Sequence, residues 1–354
     1  MDGQLKRLAL CAAFSPRSAR LGRALREHSP DRTDLAYFQA WLPDHKRARR
    51  LLRYPESLQE SLATLSALGW RWLALGDEHY PSLLADLPDA PGVLAVRGDP
   101  AVLSIPQLAM VGARAASADG NDNAFRFART FAGAGFGVTS GLALGVDASA
   151  HRGALAASGV TVAVLGNGPD RIYPPHHRKL AQQIIDGGGA LVTEFAPGSQ
   201  PRREYFPARN RVISGLSLAT VVVEAALRSG SLITARTAAE QGREVFAIPG
   251  SLHNPLSKGC HRLLRDGANW LESVDDVLEA FGDFRRTVAD SPALAADPDD
   301  GLLRHFTSGV NGLDELARRS ALPMTELAER LAELELEGRI RRVAGGYSRA
   351  RGLA

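Results

Sequence analysis

At 354 residues the chain is long enough for two or three domains of ordinary size, and its 45% hydrophobic and 23% charged content excludes a disordered or fibrous protein. Two cysteines, Cys11 and Cys260, are too few for a disulfide framework or a thiolate metal cluster, and no run approaches the ~18 apolar residues of a membrane helix. The net charge is only +3, but four of the 42 basic residues are lysine (Lys6, Lys46, Lys179 and Lys258) and the other 38 are arginine, the side chain whose planar fork suits phosphates and stacked bases.

In chain order, the short apolar stretch Leu8 to Phe14 follows Lys6 and Arg7 and gives way to an arginine-rich amphipathic pattern. It is read as a buried helix turn rather than a signal peptide, and the protein as cytoplasmic. Residues 1–78 form a first region of short helices, Arg17 to Glu27, Asp34 to Trp41, Asp44 to Leu52 and Ser57 to Leu68, punctuated by Pro30, Pro43 and Pro55.

From 79 to 284 apolar runs alternate with helical segments. The runs are Leu108 to Val111, Gly137 to Thr139, Thr161 to Leu165, Ala190 to Thr193, Ala219 to Val223 and Val245 to Ile248. Each is short and apolar on both faces, as a strand covered by helices on two sides must be. Helices are predicted over Gly120 to Phe131, Ala148 to Ala157, Arg178 to Ile185 and Ser231 to Gln241. The alternation implies an α/β domain with a doubly wound parallel sheet. Residues 285–300 have the Pro, Ala and Asp content of a linker. In 301–354, helices at Gly312 to Arg319 and Thr325 to Glu337 precede two strands flanking Gly345-Gly346, which gives a winged-helix outline.

Chemistry is expected where strands run into small-residue loops, because ligands of open α/β sheets bind beyond the carboxyl ends of the strands. Four such loops occur: Gly112-Ala113-Arg114-Ala115-Ala116-Ser117, Ser140 to Asp147, Gly166-Asn167-Gly168, and Glu224 followed by Ser229-Gly230-Ser231. Together they suggest an anion site. Gly133-Ala134-Gly135-Phe136-Gly137 has a similar texture but lies between a helix and a strand, the wrong order for a phosphate loop, and is read as a turn. None of the four lysines sits in a Walker A loop. The sharpest cluster is Gln200 to Arg211, with four arginines for phosphates and two aromatics for bases. His151 lies four residues after Asp147 on one helix, where the two side chains can meet in a structural hydrogen bond.

These loops in this order resemble the DNA-processing protein A family (DprA, or Smf). The match runs through Val111-Gly112-Ala113-Arg114, Ser140-Gly141-Leu142-Ala143 with Asp147 and His151, Tyr173-Pro174, Phe206-Pro207-Ala208-Arg209-Asn210-Arg211, Ser229-Gly230-Ser231-Leu232-Ile233-Thr234-Ala235, Pro249-Gly250 and Gly259-Cys260-His261. The resemblance implies an extended Rossmann-like, mostly parallel sheet with an N-terminal SAM-like helical domain and a C-terminal winged helix. It also implies single-stranded DNA binding, loading of the RecA recombinase during natural transformation, action as a homodimer, and no metal, cofactor or catalysis. Carried over by motif, the DNA site takes Arg114, Arg203, Phe206, Arg209 and Arg211. Asn210 and the loop residues Gly112, Ser117, Ser140, Gly141, Ser229, Gly230 and Ser231 complete it. Family members commonly have lysine at or near the Arg203 position. Two other readings stand beside this one: a phosphoribohydrolase-like enzyme, for which the Ser229 to Thr234 loop lacks the paired glycines, and a winged-helix regulator with a ligand-sensing α/β domain.

Overall fold

The computed structural model describes Glu60, residues 63–281, and in the C-terminal part 302, 305–306, 311–320, 322–336, 340–343 and 345–349. The expected helices before Ser57, the turn at Leu8 to Phe14 and the linker at 285–300 lie outside the described residues. Of the expected Ser57 to Leu68 helix, Glu60 and residues 63–67 are helical and Leu68 lies in a turn. The chain divides into two compact units, Met1–Ser291 and Pro292–Ala354.

The first unit is built on a nine-stranded sheet. In chain order its strands are β1 (Trp70–Ala74), β2 (Val93–Gly98), β3 (Gln107–Val111), β4 (Gly137–Ser140), β5 (Thr161–Val164), β6 (Ala190–Thr193), β7 (Ala219–Val222), β8 (Glu244–Ala247) and β9 (Asn269–Trp270). Their order across the sheet is β1-β2-β6-β5-β4-β3-β7-β8-β9. Seven strands from β6 to β9 are parallel. β2 joins β6 antiparallel and β1 joins β2 antiparallel. The six strands predicted from apolar runs all lie in the parallel part. β1 and β2 precede the first βα repeat and pair as an antiparallel extension, so the sheet begins at Trp70, within the stretch assigned to the front helical domain.

The helices are α1 (Ser82–Ala85), α2 (Ala118–Gly133), α3 (Val146–Ala156), α4 (Arg178–Asp186), α5 (Tyr205–Gly215), α6 (Gly230–Glu240), α7 (Lys258–Arg265) and α8 (Val274–Ala280). They cover both faces. On one face Ala109, Val111, Val162, Val164, Val192, Val222 and Ala247 pack with Val212 and Ile213 of α5 and Ala235 and Ala238 of α6. On the other, Leu108, Met110, Val138, Val221 and Phe246 pack with Ala124, Ala128 and Phe131 of α2, Ala150 and Ala154 of α3 and Val277 of α8. Leu165 and Leu191 meet Leu180 and Ile184 of α4. Adjacent residues of one strand thus face opposite helical layers, which is why these strands read as unbroken apolar runs. The glycines at 133–137 form the turn from α2 to β4, as expected.

The chain winds outward from β3 through β4 and β5 to β6, then returns to β7 beside β3 and winds the other way. The switch point lies between the carboxyl ends of β3 and β7, where an open α/β sheet leaves a crevice.

In the second unit α9 (Leu313–Ser320) and α10 (Met324–Leu336) precede a hairpin of β10 (Ile340–Val343) and β11 (Gly346–Arg349). Leu327, Leu331 and Leu334 of α10 share one helical face and bury against Leu302, Phe306, Leu316 and Ile340. This is a winged helix.

Candidate functional site

The loops at the carboxyl ends of β3, β4, β5 and β7 converge with the first turn of α5. The segment 200–211, expected to supply charges from one stretch, divides by structure. Residues 201–204 are irregular or turn, and α5 starts at Tyr205. Arg202 and Arg203 are exposed, whereas Arg209 and Arg211 lie on the helix face turned to the interior, 4% and 2% exposed.

The surface of the site is an aromatic and arginine stack. The Arg114 guanidinium lies 5.0 Å from the centroid of the Phe206 ring, within the range of a cation–π contact. Tyr173, 42% exposed and joined to Pro174 by a cis peptide, approaches the same ring at 5.8 Å between centroids. Beneath the ring is Gly166, where a Cβ would come within 3.0 Å of Phe206 Cδ1. A second stack sits alongside, with Tyr205 4.4 Å from the buried Phe195 ring and Arg202 5.7 Å from Tyr205.

Below this surface the charged groups are tied into the fold. Arg209 donates from Nη1 to the carbonyls of Gly141, at 2.7 Å, and Val164, and from Nε to Asn210 Oδ1 at 3.1 Å. Gly141 faces the guanidinium so closely that a Cβ would meet Nη2 at 2.4 Å. Burial lowers the Arg209 pKa to about 10 against the opposing attraction of Asp147. Asp147 accepts from the amides of Gly141 and Ala143 at 3.1 and 3.2 Å. Burial raises its pKa, and Arg209 works in the other direction. Arg211 pairs with Glu194 at the end of β6 and with Asp89 at 3.3 Å.

The sequence expectation gave Arg209 and Arg211 to phosphates, but their guanidiniums spend their hydrogen bonds and charge on carbonyls and carboxylates within the fold. The hydroxyls are similarly engaged. Ser140 Oγ donates to the Met110 carbonyl at 2.6 Å. Ser117 caps α2 by accepting from the Gly120 amide and donates to Glu224 Oε1. Ser229 caps α6 and lies 2.6 Å from Ser231 Oγ. Among the expected ligands, Arg114, Arg203 and Gly230 are exposed, while Phe206, Asn210 and Gly112 are half-buried.

His151 does not pair with Asp147. The Asp147 carboxylate turns back to the loop amides of 141 and 143, while the His151 ring reaches Thr161 Oγ1 at 2.7 Å. Thr161 donates its own proton to the Val138 carbonyl at 2.6 Å, so His151 carries hydrogen on Nδ1 and donates it. Nε2 is buried without a hydrogen-bond partner among the described residues, and burial lowers the pKa to about 3.

Tyr173, Glu194, Asp89, Glu224 and His177 were not among the expected site residues. His177 donates from Nδ1 to the Leu142 carbonyl at 2.9 Å, holding a residue with φ of 57°. Two of these had a sequence signal, Tyr173 in the Tyr-Pro pair and Glu224 at the end of a strand before a small-residue loop. The others are single acids or histidines whose partners are distant in sequence.

Fold and site together define an extended Rossmann-like protein with a winged-helix tail and an arginine–aromatic surface at its switch point. The family described as DNA recombination-mediator protein A matches residues 71–282, and the DprA winged helix domain matches 287–346. The chain is 42% identical over 316 residues to Protein Smf of Escherichia coli, covering 86% of this chain and 84% of that one. It is 43% identical over 205 residues to the DNA processing protein DprA of Streptococcus pneumoniae, covering 58% and 72%. The crystal structure of the pneumococcal protein superposes with a TM-score of 0.68 at 34% identity, covering 79% of this chain and 98% of that one. A Helicobacter pylori DprA structure, described for its mode of binding single-stranded DNA, superposes with a TM-score of 0.54 at 29% identity, covering 60% and 96%. This chain belongs to the DNA recombination-mediator protein A family.

Proposed function

We propose that the chain is a single-stranded-DNA-binding recombination mediator, a binding protein rather than an enzyme. In this reading it protects incoming strands and loads the RecA recombinase on them during natural transformation, as a cytoplasmic homodimer without cofactor or metal. The observation that carries the reading is Arg114 over Phe206, with Tyr173 beside it, at the mouth of the crevice. An exposed guanidinium supplies a phosphate contact and an aromatic face supplies sequence-tolerant stacking. The exposed Arg203, just before α5, adds positive charge, and Asn210 and the open position at Gly230 offer further polar and backbone approach. Arg209, Arg211, Ser117, Ser140, Ser229 and Ser231 shape the loops. Asp147 and His151 are bound into the interior, by loop amides and by Thr161, which supports binding over catalysis. The exposed Arg342 on β10 supports an auxiliary DNA contact by the wing.

Competition between single- and double-stranded oligonucleotides for the full chain, at a series of stated salt concentrations, tests the reading. Single strands should win at every concentration, with log affinity falling linearly in log salt. Equal retention of duplex overturns it, and release of free base from a nucleoside monophosphate would restore the enzyme reading. RecA loading and the dimer are tested separately, by RecA filament formation on coated strands and by mass in solution.

A further inference from the structure

In a doubly wound sheet the first helix after the switch-point strand presents its N-terminal amides as a ready phosphate site. Here that position, the start of α2 after β3, is filled from within. Glu224, at the carboxyl end of β7 and 6% exposed, accepts from the Ser117 amide at 2.8 Å through Oε2 and from the Ser117 hydroxyl at 2.6 Å through Oε1. Asn254 Nδ2 donates to the same Oε1 at 3.0 Å. The fit leaves no room for a side chain at Gly120, where a Cβ would lie 2.3 Å from Glu224 Oε2.

The consequence concerns the loop before Ser117. Residues 112–117 carry Arg114, which is exposed and reaches over Phe206. The loop is held at its far end by Glu224 and at Ala113 by the Val146 amide, which donates to the Ala113 carbonyl at 3.2 Å. We propose that Glu224 is the positioning residue for Arg114: a buried carboxylate that takes the place of a phosphate at α2 and thereby fixes the loop presenting the DNA-contacting arginine. The inference rests on the single-stranded-DNA reading of the Arg114 site.

The sign of the effect separates positioning from simple electrostatics. Removing a negative charge near a DNA site raises affinity if charge alone matters. If Glu224 positions Arg114, Glu224→Gln lowers affinity instead. Glu224→Asp, which keeps the charge but shortens the reach, lowers it too. The experiment measures single-stranded oligonucleotide binding by the full chain across salt for wild type, Arg114→Ala, Glu224→Gln, Glu224→Asp and each double variant with Arg114→Ala, with thermal melting alongside. Arg114→Ala should cost about tenfold, the value of one charged hydrogen bond, and lower the salt slope by roughly 0.7. Either Glu224 variant should reproduce part of both losses and add nothing in the Arg114→Ala background. If one variant fails to fold, the other gives the same comparison. Unchanged or raised affinity, or full additivity with Arg114→Ala, overturns the positioning role. No effect of Arg114→Ala itself overturns the underlying DNA-site reading instead.

Discussion

Arg114, in the loop after β3, and Phe206, in the first turn of α5, stand 92 positions apart in sequence and meet with the guanidinium 5.0 Å from the ring centroid. One supplies charge and the other a flat apolar face, so their loss should differ in kind. Arg114→Ala should weaken binding on every single-stranded sequence and reduce the salt slope by roughly 0.7. Phe206→Ala should cost about 1–3 kcal/mol of binding free energy with the slope unchanged. Because the two side chains touch, the double variant should lose less than the sum. Salt-dependent binding isotherms check all three statements. A large fall in melting temperature for Phe206→Ala, with binding restored on cooling, would show that the ring supports the fold instead.

Arg211 makes the opposite prediction from Arg114. Its guanidinium is buried between Glu194 and Asp89, and truncation removes that buried charge pair from the nearly buried Glu194. Breaking a buried pair from one side costs about 3–5 kcal/mol. Arg211→Ala should therefore lower the melting temperature strongly, while the salt slope of DNA binding, measured below the transition, stays at the wild-type value. A reduced slope in a stably folded variant would return Arg211 to the DNA surface.

The contrast between these two arginines shows what the sequence could and could not carry. The parallel strands were legible because burial on both faces makes each a short apolar run, and the winged helix because two helical segments precede strands flanking the Gly345-Gly346 turn. Loops at strand ends were legible through Gly and Ser content. The direction of a side chain on α5 was not, because Arg203 and Arg211 are the same residue type in one basic segment. Only the helix phase from Tyr205 onward turns Arg209 and Arg211 inward. Nor were Glu224 and Glu194 visible as partners, since each is a lone acid whose donor lies elsewhere in the chain. β1 and β2 were missed because they add an antiparallel edge outside the strand–helix repeat.

His151 gives a pH test. Its pKa falls from 6.5 to about 3 on burial, so the unfolded chain binds a proton between those values and the folded chain does not. Stability from this group is complete above pH 6.5 and is lost as pH drops toward 3. At pH 5 the loss is about 2 kcal/mol relative to pH 7.5. His151→Gln replaces the ring with a group that does not titrate. The variant will be less stable at pH 7.5, but the difference in its unfolding free energy between pH 7.5 and pH 5 should be about 2 kcal/mol smaller than in wild type. Chemical denaturation at the two pH values measures this, and an equal pH dependence in both proteins would exclude the buried neutral histidine.

Gly166 tests whether the position of the Phe206 ring matters apart from its presence. A Cβ at 166 would lie 3.0 Å from Cδ1 and 3.2 Å from Cε1 of that ring, and beyond the neighbouring residues of the chain the next described atom is a third Phe206 carbon at 3.7 Å. The ring must move by a few tenths of an ångström, out of its alignment with Arg114 and Tyr173. Gly166→Ala should therefore weaken single-stranded DNA binding by less than Phe206→Ala does, with an unchanged salt slope because no charge is lost. Overpacking of this kind costs about 1–3 kcal/mol in a closed core; here the half-buried ring can yield toward solvent, and the loss of stability should fall at or below the bottom of that range. In a Phe206→Ala background the clash has no partner, so adding Gly166→Ala should change neither binding nor melting temperature. Measuring the four proteins together decides the matter. An equal cost of Gly166→Ala with and without the Phe206 ring would mean that the glycine serves its own backbone rather than the placement of the stack.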